Sequence, residues 1–320
     1  MLRMELPPDA IEHGPGIVTW PVSEPISSSE EWMELLADGP PCLFDTDDTH
    51  PELLVPKDHQ ELVRNPGQPY VAWAPDGLWH MDRVEQEGKL VTVGYWHEAS
   101  SDAGKMQVLD TAGLYEAMQT DEFFALHGLR EAGLQDAVSM FDGDYSTFIN
   151  DILLPIRATA DPDTLASIDL YIQEVERTDP FPPVSLPLLG RNSFSGESAL
   201  LFDGGVRCYD ICDGKTGLSY EGLLKAMRRY IAENEGELKE RGAIHTISPE
   251  PGRAFLISRE GTLHRGLIGE PEEQRTLFIG TIATARSQQT GDQWGDTADR
   301  PPIDVSLPGR EGQILLATKP

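Results

Sequence analysis

The sequence predicts a mixed, mainly β fold that is not a doubly wound parallel sheet. Three observations carry this expectation. Runs of β-branched and aromatic residues, punctuated by Pro, Gly and Asp, cluster towards both ends of the chain. The helical periods fall between them. Strands and helices therefore do not alternate in the way a βαβ crossover sheet requires.

Residues 40–46 (PPCLFDT) read as a short strand followed by acidic turns. YVAW at 70–73 and LVTVGYW at 90–96 read as strands, with Pro75, Asp76, Gly77 and Gly88 between them. Residues 111–132 carry Leu114, Met118, Leu126 and Leu129 on one helical face, with a break near Thr120. The acidic, proline-containing stretch around 135–180 reads as a partly helical insert. Residues 199–212 suggest a hairpin turning at Asp203, Gly204 and Gly205. The clearest helix covers 219–240, capped by Ser219, with Leu223, Leu224, Met227, Tyr230 and Ile231 along one stripe. Strands follow at 243–247, 253–258 and 275–284. The polar, Pro/Gly-rich remainder reads as a surface tail. This divides the chain into one domain over 1–285, with its insert, and a tail over 286–320.

Composition narrows the function classes. A chain of 320 residues, 39% hydrophobic and 25% charged, can bury a large core. Against 54 Asp and Glu stand 25 Lys and Arg, a net charge of −29. Such a surface repels phosphate backbones and anionic lipid, so neither a nucleic acid nor a membrane is expected as a partner. No stretch is apolar enough to span a bilayer, and MLRMELPPDAIEHG has no signal-peptide core, so a cytoplasmic location is expected. Three cysteines, Cys42, Cys208 and Cys212, suggest buried free thiols, not a disulfide framework or a zinc site.

Most short motifs lead nowhere. Gly214–Lys215–Thr216 would need a glycine at 209 to form a phosphate loop, and Tyr209 stands there. Neither a G-x-S-x-G elbow nor an H-E-x-x-H helix occurs. Metal-ligand spacing is more productive. His50/Glu52, His59/Glu61 and His80/Asp82 each place a histidine two residues before a carboxylate, a spacing that puts both on one face of a strand. Pro51 interrupts the first pair, and the second lies in a charged segment that could equally be a helix end. The third sits in GLWHMDR between two apolar strands, where a buried site can be built. Downstream, EPGRAFLISREGTLHRG brings a turn, a strand, another turn and His264, and Arg275 follows eleven positions later.

This layout resembles the taurine dioxygenase-like family of Fe(II)- and 2-oxoglutarate-dependent oxygenases, close also to the clavaminate synthase type. The resemblance runs from about 40 to 285 and is poor over 130–200. It includes VTVGYWHEASSDAGKMQVLDTAGLYEAM, which is similar to the family's strand, glycine turn, strand and helix after the first motif. It implies a distorted double-stranded β-helix, or jelly-roll, with flanking helices. His80 and Asp82 match the proximal ligand pair, His264 the distal ligand, and Arg275 the residue that binds the far carboxylate of 2-oxoglutarate. Two imidazoles and a carboxylate on one face of Fe(II) leave positions for 2-oxoglutarate and O2. A planar guanidinium suits a carboxylate, because it donates two parallel hydrogen bonds.

There are departures from the family pattern. The proximal and distal histidines are 184 residues apart, a long gap that the insert would account for. Where the family often has a Thr touching 2-oxoglutarate, Lys105 or Met106 stands. Phe278, Ile279 and Gly280 occupy the stretch in which taurine dioxygenases place a sulfonate-binding Arg, which argues against taurine. The implied activity is hydroxylation of a small molecule, such as an amino acid or specialised metabolite, with release of succinate and CO2. The alternatives are desaturation, epoxidation or cyclisation by the same oxidant, or a jelly-roll binding protein without turnover. Trp79 could wall the site or pack in the core. Arg265 could face solvent or a substrate carboxylate, and His97 and His245 read as structural.

Overall fold

The computed structural model describes residues 2–5, 8–38, 43–46, 54–64, 78–81, 89–101, 103–129, 131–141, 146, 149–160, scattered positions in 162–173, 183–192, 194–204, 208–267 and 274–284. The predicted YVAW strand, Cys42, the His50/Glu52 pair and the 286–320 tail lie outside these residues, as does Asp82.

Sixteen strands are described. The first half holds β1 (Leu2–Glu5), β2 (Ile11–Gly14), β3 (Ile17–Pro21), β4 (Leu43–Thr46), β5 (Leu54–Arg64), β6 (Lys89–Ala99), β7 (Met106–Asp110) and β8 (Ala137–Phe141). The second half holds β9 (Val184–Pro187), β10 (Leu189–Arg191), β11 (Ser198–Leu200), β12 (Cys208–Asp213), β13 (Ile244–Ile247), β14 (Arg253–Ser258), β15 (Thr262–Gly266) and β16 (Arg275–Thr284). The helices are α1 (Ser29–Asp38), α2 (Thr111–Thr120), α3 (Phe123–Leu126), α4 (Glu131–Asp136), α5 (Leu154–Arg157), α6 (Leu223–Glu233) and α7 (Glu235–Glu240), with a π-helical turn over Ile149–Leu153.

Two antiparallel sheets position the candidate site. The larger has the order β2-β3-β14-β6-β16-β5 and the smaller β13-β7-β15. The chain crosses between them repeatedly: β5, β6, β14 and β16 belong to the larger, and β7, β13 and β15 to the smaller. His80 extends the smaller sheet by one residue, through an antiparallel bridge to His264.

Alternation along the strands builds two layers of core. Val18, Trp20, Val91, Val93, Tyr95, Leu256 and Phe278 face outwards from the larger sheet and are covered by Trp32 and Leu36 of α1. Ile17, Trp96, Phe255 and Ile257 face inwards and meet Val108 and Ile247 of the smaller sheet. Gly94 lies opposite Phe255 in the ladder, and a methyl group there would fall 2.2 Å from the phenyl ring. The glycine thus makes room for an aromatic side chain inside the sandwich. On the far side of the smaller sheet, Leu109 and Leu263 join a third core with Leu114, Met118, Leu223, Met227 and Ile231.

Several sequence expectations are corrected. Residues 199–212 are not a hairpin: β11 pairs with β10, and β12 pairs with β8. The expected helix over 219–240 begins at Leu223 and breaks at Asn234 into α6 and α7. Ser219 does not cap it, because its hydroxyl donates to the Asp210 carboxylate. The 135–180 insert contains a strand, β8, besides helical turns. The break near Thr120 stands, with α2 ending there. Asp110 caps α2, accepting from the N–H groups of Ala112 and Gly113. Burial nevertheless raises its pKa above the usual carboxylate range. Cys208 and Cys212 are buried free thiols, each pushed up by burial to about 12. The Gly214–Thr216 triplet is a turn, with Lys215 paired to Asp136.

Candidate metal centre

The site is built on the inward face of the smaller sheet. In antiparallel ladders directly opposed residues project to the same side. His80 opposes His264, His264 opposes Val108, and Val108 opposes His245. Val108 packs in the inner core, so this whole row faces the interior between the sheets. Residues one position along each strand face the other way, and there Trp79, Met81, Leu109 and Leu263 enter the outer core.

The two histidines 184 positions apart in sequence are held together by two backbone hydrogen bonds. His80 N–H donates to the His264 carbonyl at 3.0 Å, and His264 N–H donates to the His80 carbonyl at 2.8 Å. Their ring centroids are 4.2 Å apart, with the planes at 50°. Two imidazoles bound to adjacent positions of one metal, at about 2.1 Å each, place their centroids roughly 4.5 Å apart. The observed separation suits that arrangement.

A further contact settles which nitrogen of His80 can bind. Nδ1 lies 2.9 Å from the Leu78 carbonyl, an acceptor, so Nδ1 carries the proton and donates. The lone pair is then on Nε2. A histidine whose second nitrogen donates to a backbone carbonyl is oriented and made more basic as a ligand. Among the described residues no group of three or more His, Cys, Asp or Glu side chains could hold a metal. Asp82, two residues beyond His80, lies outside the described residues.

Arg275 opens β16 and shares a strand face with Leu277, which packs in the inner core. Its guanidinium donates to the Gly104 carbonyl at 3.1 Å. Gly104 lies four residues before Val108, just beyond the point where Leu267 N–H donates to the Lys105 carbonyl and ends the β15–β7 ladder. Arg275 thus spans from the larger sheet to the start of β7, the central strand of the smaller sheet. Lys105 is exposed and Met106 faces inwards, where it packs on the inner core.

Other candidates fall elsewhere. His59 and Glu61 lie on β5 at the edge of the larger sheet, away from the His80–His264 row. His97 stacks on Phe278 at 5.1 Å, on the outward face, and its Nδ1 lies 2.8 Å from the Ile26 carbonyl, so its role is structural. His245 does face the interior, and its ring lies 6.4 Å from that of His13 on β2. Sequence reasoning missed His13, because β2 and β3 carry no period long enough to announce them. Arg265 faces neither solvent nor the interior: it is buried in the outer core, paired with Glu235 at 2.8 Å.

No protein-family model matches the chain, and no curated protein does either. Solved structures do resemble it. The crystal structure of AAD-2 in complex with Mn(II) and N-oxalylglycine aligns at a TM-score of 0.41 and 15% identity, covering 66% of this chain and 65% of that one. A putative alpha-ketoglutarate dependent 2,4-D dioxygenase from Burkholderia xenovorans aligns at 0.41 and 14%, covering 66% and 68%. A taurine dioxygenase from the same organism aligns at 0.40 and 13%, covering 75% and 66%. The chain thus spans about two thirds of the length of each. Among the described residues no helix is long and apolar enough to cross a membrane.

Proposed function

We propose that this chain is an Fe(II)- and 2-oxoglutarate-dependent oxygenase on a distorted jelly-roll core, hydroxylating a small molecule such as an amino acid or specialised metabolite. The observation that carries the reading is the inward His80–His264 pair, bridged through the backbone and with His80 Nδ1 committed to Leu78. The crossing of successive strands between two facing antiparallel sheets supports the jelly-roll assignment. His80, His264 and Asp82 would hold the metal, two imidazoles and one carboxylate on one face. Arg275 would take the far carboxylate of 2-oxoglutarate. A five-carbon diacid chelated at the histidine row would then run along β7 towards Gly104.

Iron with 2-oxoglutarate and O2 supplies an oxidant able to break an aliphatic C–H bond. The chain's own contribution is placement and dryness. Trp96, Phe255, Ile257 and Ile247 pack as an apolar core around Val108 of the histidine row, which would help keep water from the reacting centre. Asp82 as the carboxylate ligand would favour oxygenation over halide transfer.

The test is a screen for succinate release, with Fe(II), 2-oxoglutarate and O2, across amino acids and related amines. Succinate above the enzyme-free control, abolished by His264→Ala, is the expected result. An enzyme that binds 2-oxoglutarate but never consumes it would fit a binding protein and overturn the oxygenase reading.

A further inference from the structure

The reverse side of the histidine row carries a second row, offset by one residue. Trp79 lies opposite Arg265, since His80 opposes His264 in an antiparallel bridge. Arg265 opposes Gln107, and Gln107 opposes Thr246. Neighbours in this row interact throughout. The Arg265 guanidinium lies 4.5 Å over the centre of the Trp79 ring. Its Nε and one terminal nitrogen both donate to Gln107 Oε1, at 2.9 and 2.7 Å. The same terminal nitrogen donates to the Glu235 carboxylate on α7 at 2.8 Å. Gln107 Nε2 in turn donates to Thr246 Oγ1 at 3.3 Å.

This row bears on how His80 is aligned. Residues 78–81 are not a strand; in backbone pairing, among the described residues, they meet β15 only through the two hydrogen bonds at His264. The outer face holds the segment as well, through the fully buried Met81 and through Trp79. The Trp79 backbone rests on Gly204, where a methyl group would come within 2.2 Å of the Trp79 carbonyl oxygen. Its ring is held from the β15 side by a guanidinium that is itself fixed from two directions, by Gln107 in the ladder and by Glu235 on a helix. A desolvated cation over an indole face is a strong form of this contact, and arginine's planar fork can stack and donate at the same time.

We infer that Arg265 is a positioning residue for the metal centre: by clamping Trp79 on the outer face of the sheet, it fixes the register of His80 against His264 on the inner face. The inference rests on the proposed function only in taking those two histidines as ligands. Arg265 touches neither metal nor substrate. It acts through the Trp79–His80 backbone, as supporting groups around metal ligands commonly do.

The experiment uses the full chain, metal-free, titrated anaerobically with Co(II) alone. Calorimetry gives affinity, the visible absorption of bound Co(II) reports coordination geometry, and tryptophan emission reports the indole environment. Arg265→Gln should weaken Co(II) binding about 10- to 100-fold and alter the visible bands. Arg265→Lys should recover part of the affinity, because it restores a cation but not the fork. Glu235→Ala removes one anchor from a partly exposed helix position, leaves the fold intact, and should weaken binding several-fold. It keeps the test decisive if Arg265→Gln does not fold. Unchanged affinity and unchanged Co(II) bands in Glu235→Ala and in the folded Arg265 variants would overturn the inference. Wild-type protein that binds no Co(II), or binds it undiminished in His80→Ala, would overturn the metal reading itself and the inference with it.

Discussion

Two histidine pairs sit on the inward side of this molecule, and the backbone holds them together to different degrees. His80 and His264 have ring centroids 4.2 Å apart, and the two residues are bridged directly through the backbone. His13 and His245 are 6.4 Å apart and belong to strands of different sheets, β2 and β13. His80 commits Nδ1 to a carbonyl, which leaves the Nε2 lone pair available. His13 turns Nε2 towards the Thr19 hydroxyl at 3.1 Å, so the nitrogen a metal would want is already engaged. The difference teaches that two histidines facing one interior are not enough. What separates a ligand pair is a short backbone connection and a second-nitrogen partner that leaves the right lone pair available.

Substitution should separate the pairs most sharply. His80→Ala and His264→Ala should each abolish tight Fe(II) binding in anaerobic calorimetry. His13→Ala and His245→Ala should leave it within about twofold, since neither ring supplies a ligand. Equal losses from both pairs would mean that the second pair also holds metal. The proposed 2-oxoglutarate contact gives the next largest effect. Arg275→Ala should raise the 2-oxoglutarate concentration needed for the metal-to-ligand absorption band while sparing iron affinity. Truncating one partner of a charge pair of this kind costs about 2–5 kcal/mol. An unshifted titration would remove Arg275 from the site.

Glycine substitutions probe the scaffold beneath each region. Gly204→Ala drives a methyl group into the Trp79 carbonyl, and a backbone atom can yield only by moving the segment that carries His80. Gly94→Ala instead meets the phenyl ring of Phe255, which packs on Trp96 at 4.7 Å between centroids. Both overpack and should lower stability by about 1–3 kcal/mol in denaturant titrations. Only Gly204→Ala should also weaken Co(II) binding in the fraction that remains folded. Equal effects on metal binding would show that the 78–81 segment is not held where the comparison places it.

How much of this was legible beforehand depends on what kind of signal each part leaves. β6, β13, β14 and β16 announce themselves through β-branched and apolar runs, and the sequence reading places them within a few residues. β5 does not: PKDHQEL is charged throughout and reads equally as a helix end, yet its backbone pairs with β16 along its length. The 199–212 hairpin failed because a glycine turn says that the chain bends, not which partner each strand takes. Leu189 and Phe141, from other segments, are the actual neighbours. Spacing and resemblance single out His80, His264 and Arg275, and the structure brings the two histidines opposite each other. Arg265 left no signal, because its role exists only once Gln107, Glu235 and Trp79, from three distant segments, meet around it.

The smallest expected effect concerns acid. His13 is held below its ordinary pKa by burial first, and then by the nearby His245 and Arg253; burial likewise lowers His245, against the Gly242 carbonyl that its ring bonds. A histidine whose folded pKa is depressed stays neutral in the native state, while the unfolded chain takes up its proton near pH 6.5. The unfolded state therefore binds more protons, and stability falls as pH drops below about 6.5 towards the lowered native values. Above that range both states are neutral and the two residues contribute no slope. His13→Gln or His245→Gln should flatten the decline of the denaturation midpoint between about pH 6.5 and 5, modestly, because both rings are only partly buried. A midpoint-versus-pH curve that overlays the wild type in both variants would show that this pair closes the seam between β2 and β13 without any cost on protonation. The comparison would then rest on metal binding alone.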